Sequence, residues 1–97
     1  MVDDFFAPPA FKPADAAQQI RRFVRDLRVF SEKGNSFELQ SVAVLELEVQ
    51  GDAITARLAR RRSPRSEWDV QTLRSSADVR KLQDEIKRRL LRWTDED

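Results

Sequence analysis

Five arginines within nine residues, Arg57, Arg60, Arg61, Arg62 and Arg65, are the densest concentration of reactive charge in this sequence. A guanidinium presents a planar fork of donors that matches phosphate and carboxylate oxygens. Arg57, Arg61, Arg62 and Arg65 are therefore candidate nucleic-acid contacts. The same segment also reads as a solvated turn whose charges keep a sheet edge from pairing wrongly. Other chemistry is sparse. Histidine, cysteine and tyrosine are absent, which removes thiol chemistry, the common zinc sites and the usual general base near neutral pH. Ser63, Ser66, Ser75 and Ser76 thus have no histidine to activate them. Glu46 and Glu48 share one strand face with nothing evident to desolvate them, and no Asp/Glu cluster has metal-ligand spacing. Gly34 and Gly51 are the only glycines, each serving a cap or a turn, so no phosphate-cradling loop exists. The expectation is a protein with no catalytic residues, no cofactor and no metal.

The element that must position the arginines is a β-hairpin over residues 37–62, with Gly51-Asp52 as its two-residue loop. Phe37, Leu39, Ala43, Leu45, Leu47 and Val49 share one parity, and Glu38, Gln40, Glu46, Glu48 and Gln50 the other. That is the period of a half-buried strand. Glycine at the first loop position suits a type II′ turn. The resulting register sets Val49 opposite Ile54, Leu47 opposite Ala56, Leu45 opposite Leu58, and Glu46 opposite Arg57 as a favourable cross-strand pair. The register turns Arg60 toward the apolar side, so the strand ends there, a bulge intervenes, or the Arg60 stem packs with its head in water. Pro64 breaks the ladder. Residues 67–73 then form a third strand, with Trp68, Val70 and Thr72 toward the core and Asp69 and Gln71 outward.

A helix over residues 14–33 precedes the hairpin and another over 76–94 follows it. The first opens at Pro13 with Asp15 and Gln18 spaced as a capping box, and ends at Lys33-Gly34-Asn35. Ala16, Ile20, Phe23, Val24, Leu27 and Phe30 make its buried stripe, with Arg22–Asp26 and Arg28–Glu32 as i,i+4 pairs. Val79, Leu82, Ile86, Leu90 and Trp93 make the stripe of the second, which Ser75 with Asp78, or Ser76, caps. Charge pairs lace its other face: Arg80–Asp84, Lys81–Glu85, Asp84–Arg88 and Glu85–Arg89.

These elements predict an α+β fold of order α-β-β-β-α: a three-stranded antiparallel meander with two helices packed on one face. Residues 14–97 form this single domain, and residues 1–13, rich in phenylalanine and proline, an extended N-terminal arm. Phe5, Phe6 and Phe11 in the arm are candidate protein contacts or cover for the domain's own core edge. On the open face, Val42 and Val44 interrupt a polar surface and are a second candidate protein contact. The element order is one that double-stranded-RNA-binding domains share. A basic cluster at the start of the last helix is reduced to Arg80 and Lys81, and with Phe37 and Trp68 assigned inward the sheet offers no aromatic for base stacking.

Length and charge bound the rest. A chain of 97 residues buries roughly 60–70% of its unfolded surface, enough for a modest core. The net charge is +1, but five acids lie at the ends, leaving 18 basic against 12 acidic residues between them. No signal peptide or membrane span is visible, so the expected compartment is the cytoplasm. The functional expectation is a small non-enzymatic protein–protein interaction module. It contacts a protein partner or a second copy, without membrane or small-molecule substrate. Nucleic-acid binding through Arg57–Arg65 is the alternative.

Overall fold

In the computed structural model, which describes residues 10–95, the hairpin is the centre of a larger meander. Helix α1 (Pro13–Asp26) leads into strands β1 (Ser31–Lys33), β2 (Ser36–Leu39), β3 (Val42–Gln50), β4 (Ala53–Ala59) and β5 (Trp68–Leu73), and helix α2 (Ser76–Asp95) follows. The strands form one five-stranded antiparallel sheet in chain order. The α+β class is as expected. The three-stranded meander is not, because two hairpin turns escape the apolar pattern.

The β3–β4 register matches the expectation residue for residue, with Glu46 opposite Arg57, Leu47 opposite Ala56 and Val49 opposite Ile54. Gly51 has φ 62°, the left-handed backbone that opens this turn. The strand expected to begin at Phe37 is nevertheless broken. Gln40 and Ser41 both have positive φ, 51° and 70°, which makes Leu39-Gln40-Ser41-Val42 a tight hairpin of the type I′ class. Neither residue is glycine or asparagine, so each carries a backbone cost of about 1–2 kcal/mol. Arg62 Nη1 donates to Gln40 Oε1 at 2.5 Å and helps to hold the turn.

Beyond that turn a bulge resets the faces. Phe37 lies opposite Leu45 but Glu38 opposite Ala43, so Val44 is an extra residue in β3. Val44 and Leu45 are both fully buried, Ala43 moves opposite the polar Glu38, and Val42 lies opposite the buried Leu39. The expected parity of Val42 and Val44 is thus reversed.

α1 ends at Asp26, seven residues short of its expected end. Arg28 takes φ 61°, and its N–H bonds Arg25 O at 3.0 Å, closing the helix. Phe30 then leaves the helical path to meet Trp93 edge-to-face at 6.3 Å. Gly34 (φ 59°) starts the β1–β2 hairpin instead of stopping a helix. Arg21 and Arg25 hold Glu32 at 2.8 and 2.9 Å, and Arg21 also reaches Gly34 O and Asn35 Oδ1. These tertiary bonds replace the expected Arg28–Glu32 helix pair.

β5 also reverses its expected faces. Trp68, Val70 and Thr72 lie opposite Ala59, Arg57 and Thr55, on the side away from the helices. Asp69, Gln71 and Leu73 lie opposite Leu58, Ala56 and Ile54, on the helix side. Leu73 is 2% exposed and anchors this register. One core then joins Ile20 and Val24 of α1, Leu82, Ile86 and Trp93 of α2, and Phe37, Leu45, Leu47, Ile54 and Leu58 of the sheet. Trp93 carries the last polar link: its Nε1 donates to Ala59 O at 3.0 Å. That carbonyl lies just past Leu45–Leu58, where the β3–β4 ladder ends. No helix among the described residues is long and apolar enough to cross a membrane.

Candidate functional site

The structure disperses the arginine segment. Arg57 lies on the open sheet face, 3.8 Å from Glu46 and with its guanidinium 5.8 Å from the centre of the Trp68 ring. The strand ends at Ala59, and the exposed Arg60 just past it bonds Glu67 at 2.8 Å and Asp69 at 2.9 Å. Arg62 turns back beneath the sheet and donates to Trp93 O at 2.8 Å, near the negative end of α2. Only Arg61 and Arg65 are exposed and form no ion pair among the described residues. The loop that carries them is tied by its serines. Ser66 Oγ accepts from the Arg61 N–H at 2.9 Å and donates to Glu67 O, and Ser63 Oγ accepts from the Arg65 N–H. A turn-building role accounts for both hydroxyls.

The expected protein contacts separate in the same way. Phe5 and Phe6 lie outside the described residues, whereas Phe11 is partly buried against the core beside α1. Val44 is fully buried and Val42 half-buried, so neither supplies the exposed patch expected of them. That patch exists, but β5 builds it. Val70 is 60% exposed between the half-buried Trp68 and the exposed Thr72, with Thr55 and Arg57 alongside on β4. Farther across the face, Thr55 Oγ1 donates to Gln50 Oε1 and Gln50 Nε2 to Glu48, a polar border to the apolar strip. Simple alternation missed these residues because both parities of β5 hold apolar side chains. The one signal was Leu73, the only large aliphatic at the odd positions.

What fixes β5 in this orientation is an ionic lattice at its helix side. Arg89 of α2 binds Asp69 at 2.7 Å and Glu85 at 2.7 Å, and its Nη1 also reaches Leu58 O and Ala59 O. Glu85 takes Arg88 as well, at 2.6 Å. Hydrogen bonds from Arg89, then from Arg60, hold the Asp69 carboxyl below its ordinary value of 3.8. Bonds from Arg89, then Arg88, do the same for Glu85 against 4.5. Burial pulls the Arg89 guanidinium down, but Glu85 and Asp69 together outweigh it and leave it raised. Two further carboxyls are depressed. The bond from Arg25 is the largest cause at Glu32, and the Arg74 N–H, 2.9 Å from Oδ2, at Asp78. Ser75 Oγ in turn accepts from the Asp78 N–H, the N-cap expected for α2.

Carboxyls whose folded values are depressed contribute stability that is complete above their unfolded values. It is lost as pH falls through 4.5 and 3.8 toward the folded values. The melting temperature should therefore be level above about pH 5.5 and fall steadily between about pH 5 and 3. Asp69→Asn should make that acid limb shallower, and an unchanged limb would count against the lattice.

Among the described residues no group of three or more acidic side chains could hold a metal ion. A surface depression of about 730 Å³ lies between Phe11, Asp15 and Gln19 on one side and Arg74, Ser75 and Ser76 on the other. Compared with family models, curated proteins and solved structures, the chain matches none of them.

Proposed function

We propose that this chain is a small non-enzymatic protein-interaction module whose contact surface is the open sheet face at β5. The observation that carries it is the apolar strip of Trp68 and Val70 on a face that neither helix covers. Aromatic and aliphatic side chains with a polar border are the composition of an interface centre, where a few residues dominate the binding energy. The strip is carried on a bonded strand, so little ordering remains to oppose binding.

Nucleic-acid binding is the second reading. Arg61 and Arg65 favour it, as two exposed cations on a tied loop. Against it, the adjoining face carries Glu46 and Glu48, and Arg57 is already engaged by Glu46 and Trp68. One retention experiment separates the readings. The immobilised chain and its Arg61→Ala/Arg65→Ala form should retain the same protein from a lysate of the source cells. Val70→Lys should retain it about tenfold less, and nuclease should change nothing. Retention that survives Val70→Lys overturns the first reading. Retention that is lost with nuclease and with the arginine pair establishes the second.

A further inference from the structure

The two edges of this sheet are built differently. β1 is three residues long and exposed, and it carries Glu32 and Lys33, the latter 3.4 Å from Glu38. Short charged edge strands resist pairing with another chain. β5, at the other edge, is six residues long and contains neither proline nor lysine. Its single charged residue, Asp69, is turned to the helix side and held there by Arg89 and Arg60.

The ladder to β4 determines which backbone groups β5 leaves over. Arg60 N donates to Glu67 O at 2.9 Å. Bonded pairs in an antiparallel ladder recur at every second residue, so Leu58–Asp69, Ala56–Gln71 and Ile54–Leu73 are the next ones. The N–H and C=O groups of Trp68, Val70 and Thr72 therefore point away from β4. The residues whose backbone is left over are those whose side chains form the uncovered strip.

The geometry points to the β5 edge as a self-pairing interface, at which two copies of this chain join β5 to β5 antiparallel about a two-fold axis at Val70. This rests on the reading of the β5 face as a protein-contact surface. In that register Val70 lies opposite Val70 of the second copy and Trp68 opposite Thr72, and each pair exchanges both backbone bonds. On the helix side Asp69 lies opposite Gln71, so no like charges face each other. Aromatic and β-branched side chains placed opposite one another are favourable cross-strand pairs. A shift of two residues in either direction uses fewer of the outward groups, and a shift of one mates outward groups with inward ones. The strand is complementary to itself about Val70, and such a patch closes as an isologous dimer. A second copy is therefore the occupant, with both five-stranded sheets continuous across the axis.

Sedimentation of the full chain over a range of concentrations should show a reversible monomer–dimer equilibrium. Thr72→Pro removes an outward N–H that β4 does not use, so the domain should still melt cooperatively while dimerisation weakens about ten- to hundredfold. The chain has no cysteine, which makes single-cysteine variants clean probes of register. Opposed residues in a bonded pair have Cα atoms about 5.5 Å apart, within disulfide reach. Val70→Cys should give a covalent dimer under mild oxidation. Thr72→Cys, opposite Trp68, should not under the same conditions. If Thr72→Pro fails to fold, the two cysteine variants decide alone. A chain that stays monomeric throughout, a folded Thr72→Pro that dimerises undiminished, or equal cross-linking of both cysteines overturns the inference. Loss of protein retention in Val70→Lys by a chain that is monomeric would sink self-pairing and leave the interaction reading standing.

Discussion

Leu47→Asp should abolish cooperative folding at neutral pH. Leu47 is 1% exposed, sits opposite Ala56 and belongs to the core shared by both helices. The substitution forfeits about 1.5–3 kcal/mol of apolar burial. It also places a carboxyl where no described side chain is both buried and charged. An ionised carboxylate there costs several kcal/mol, and neutralising it needs a pKa raised by up to 3–5 units. Domains have only about 5–15 kcal/mol of net stability to lose. Far-UV and near-UV dichroism against temperature should show no folded baseline. The neighbouring Glu46→Leu, on the outer face, should still melt cooperatively. A Leu47→Asp melt within a few degrees of the parent would mean that the faces of β3 are reversed.

Trp93→Ala should be the second most damaging change. The indole is fully buried near the end of α2, packs edge-to-face on Phe30 and satisfies the Ala59 carbonyl. Truncating a buried tryptophan costs about 3–5 kcal/mol. At roughly 4–8 °C per kcal/mol for a domain near this size, the melting temperature should fall by at least about 12 °C. Trp93→Phe divides the effect. It keeps most of the packing and loses the indole N–H, so its cost should be about 1–3 kcal/mol, lower if Arg89 Nη1, already 3.4 Å from the same carbonyl, takes over. Equal destabilisation by both variants would show that the hydrogen bond, and not the packing, dominates.

The hairpin register was legible because apolar parity, a glycine turn and the Glu46–Arg57 pair all agree on it. The stripes of both helices were legible for the same reason, since each follows a single period. The departures occur where local signals are silent. Gln40 and Ser41 adopt left-handed backbone without being glycine or asparagine, so nothing in their types marks a turn. The Val44 bulge shifts register within an unbroken apolar run, where periodicity carries no phase. α1 stops at Asp26 although Leu27 and Phe30 continue its stripe, because Phe30 packs on Trp93 and Glu32 is drawn to Arg21 and Arg25. The candidate surface was hidden by the face of β5, which Leu73 and the Asp69–Arg89 pair set from opposite ends of the strand. Each is a choice between near-equal local alternatives made by distant partners.

Strict chain order in the sheet bears on how the molecule assembles. Every strand pairs with its neighbour in sequence, so almost all of the ladder closes over short loops, and short closures cost little chain entropy. Other contacts span more of the chain. Trp93 to Ala59 bridges 34 residues, Arg62 to Trp93 bridges 31, and the α1–α2 contact is longer still. Topologies dominated by local contacts fold quickly, and the closures that span most of this chain join the last helix to α1. Until α2 arrives, the meander has its apolar side half open and the β5 edge without its ionic anchor. The same helix that completes the core therefore also supplies, through Arg89, the ion pair that anchors that edge strand.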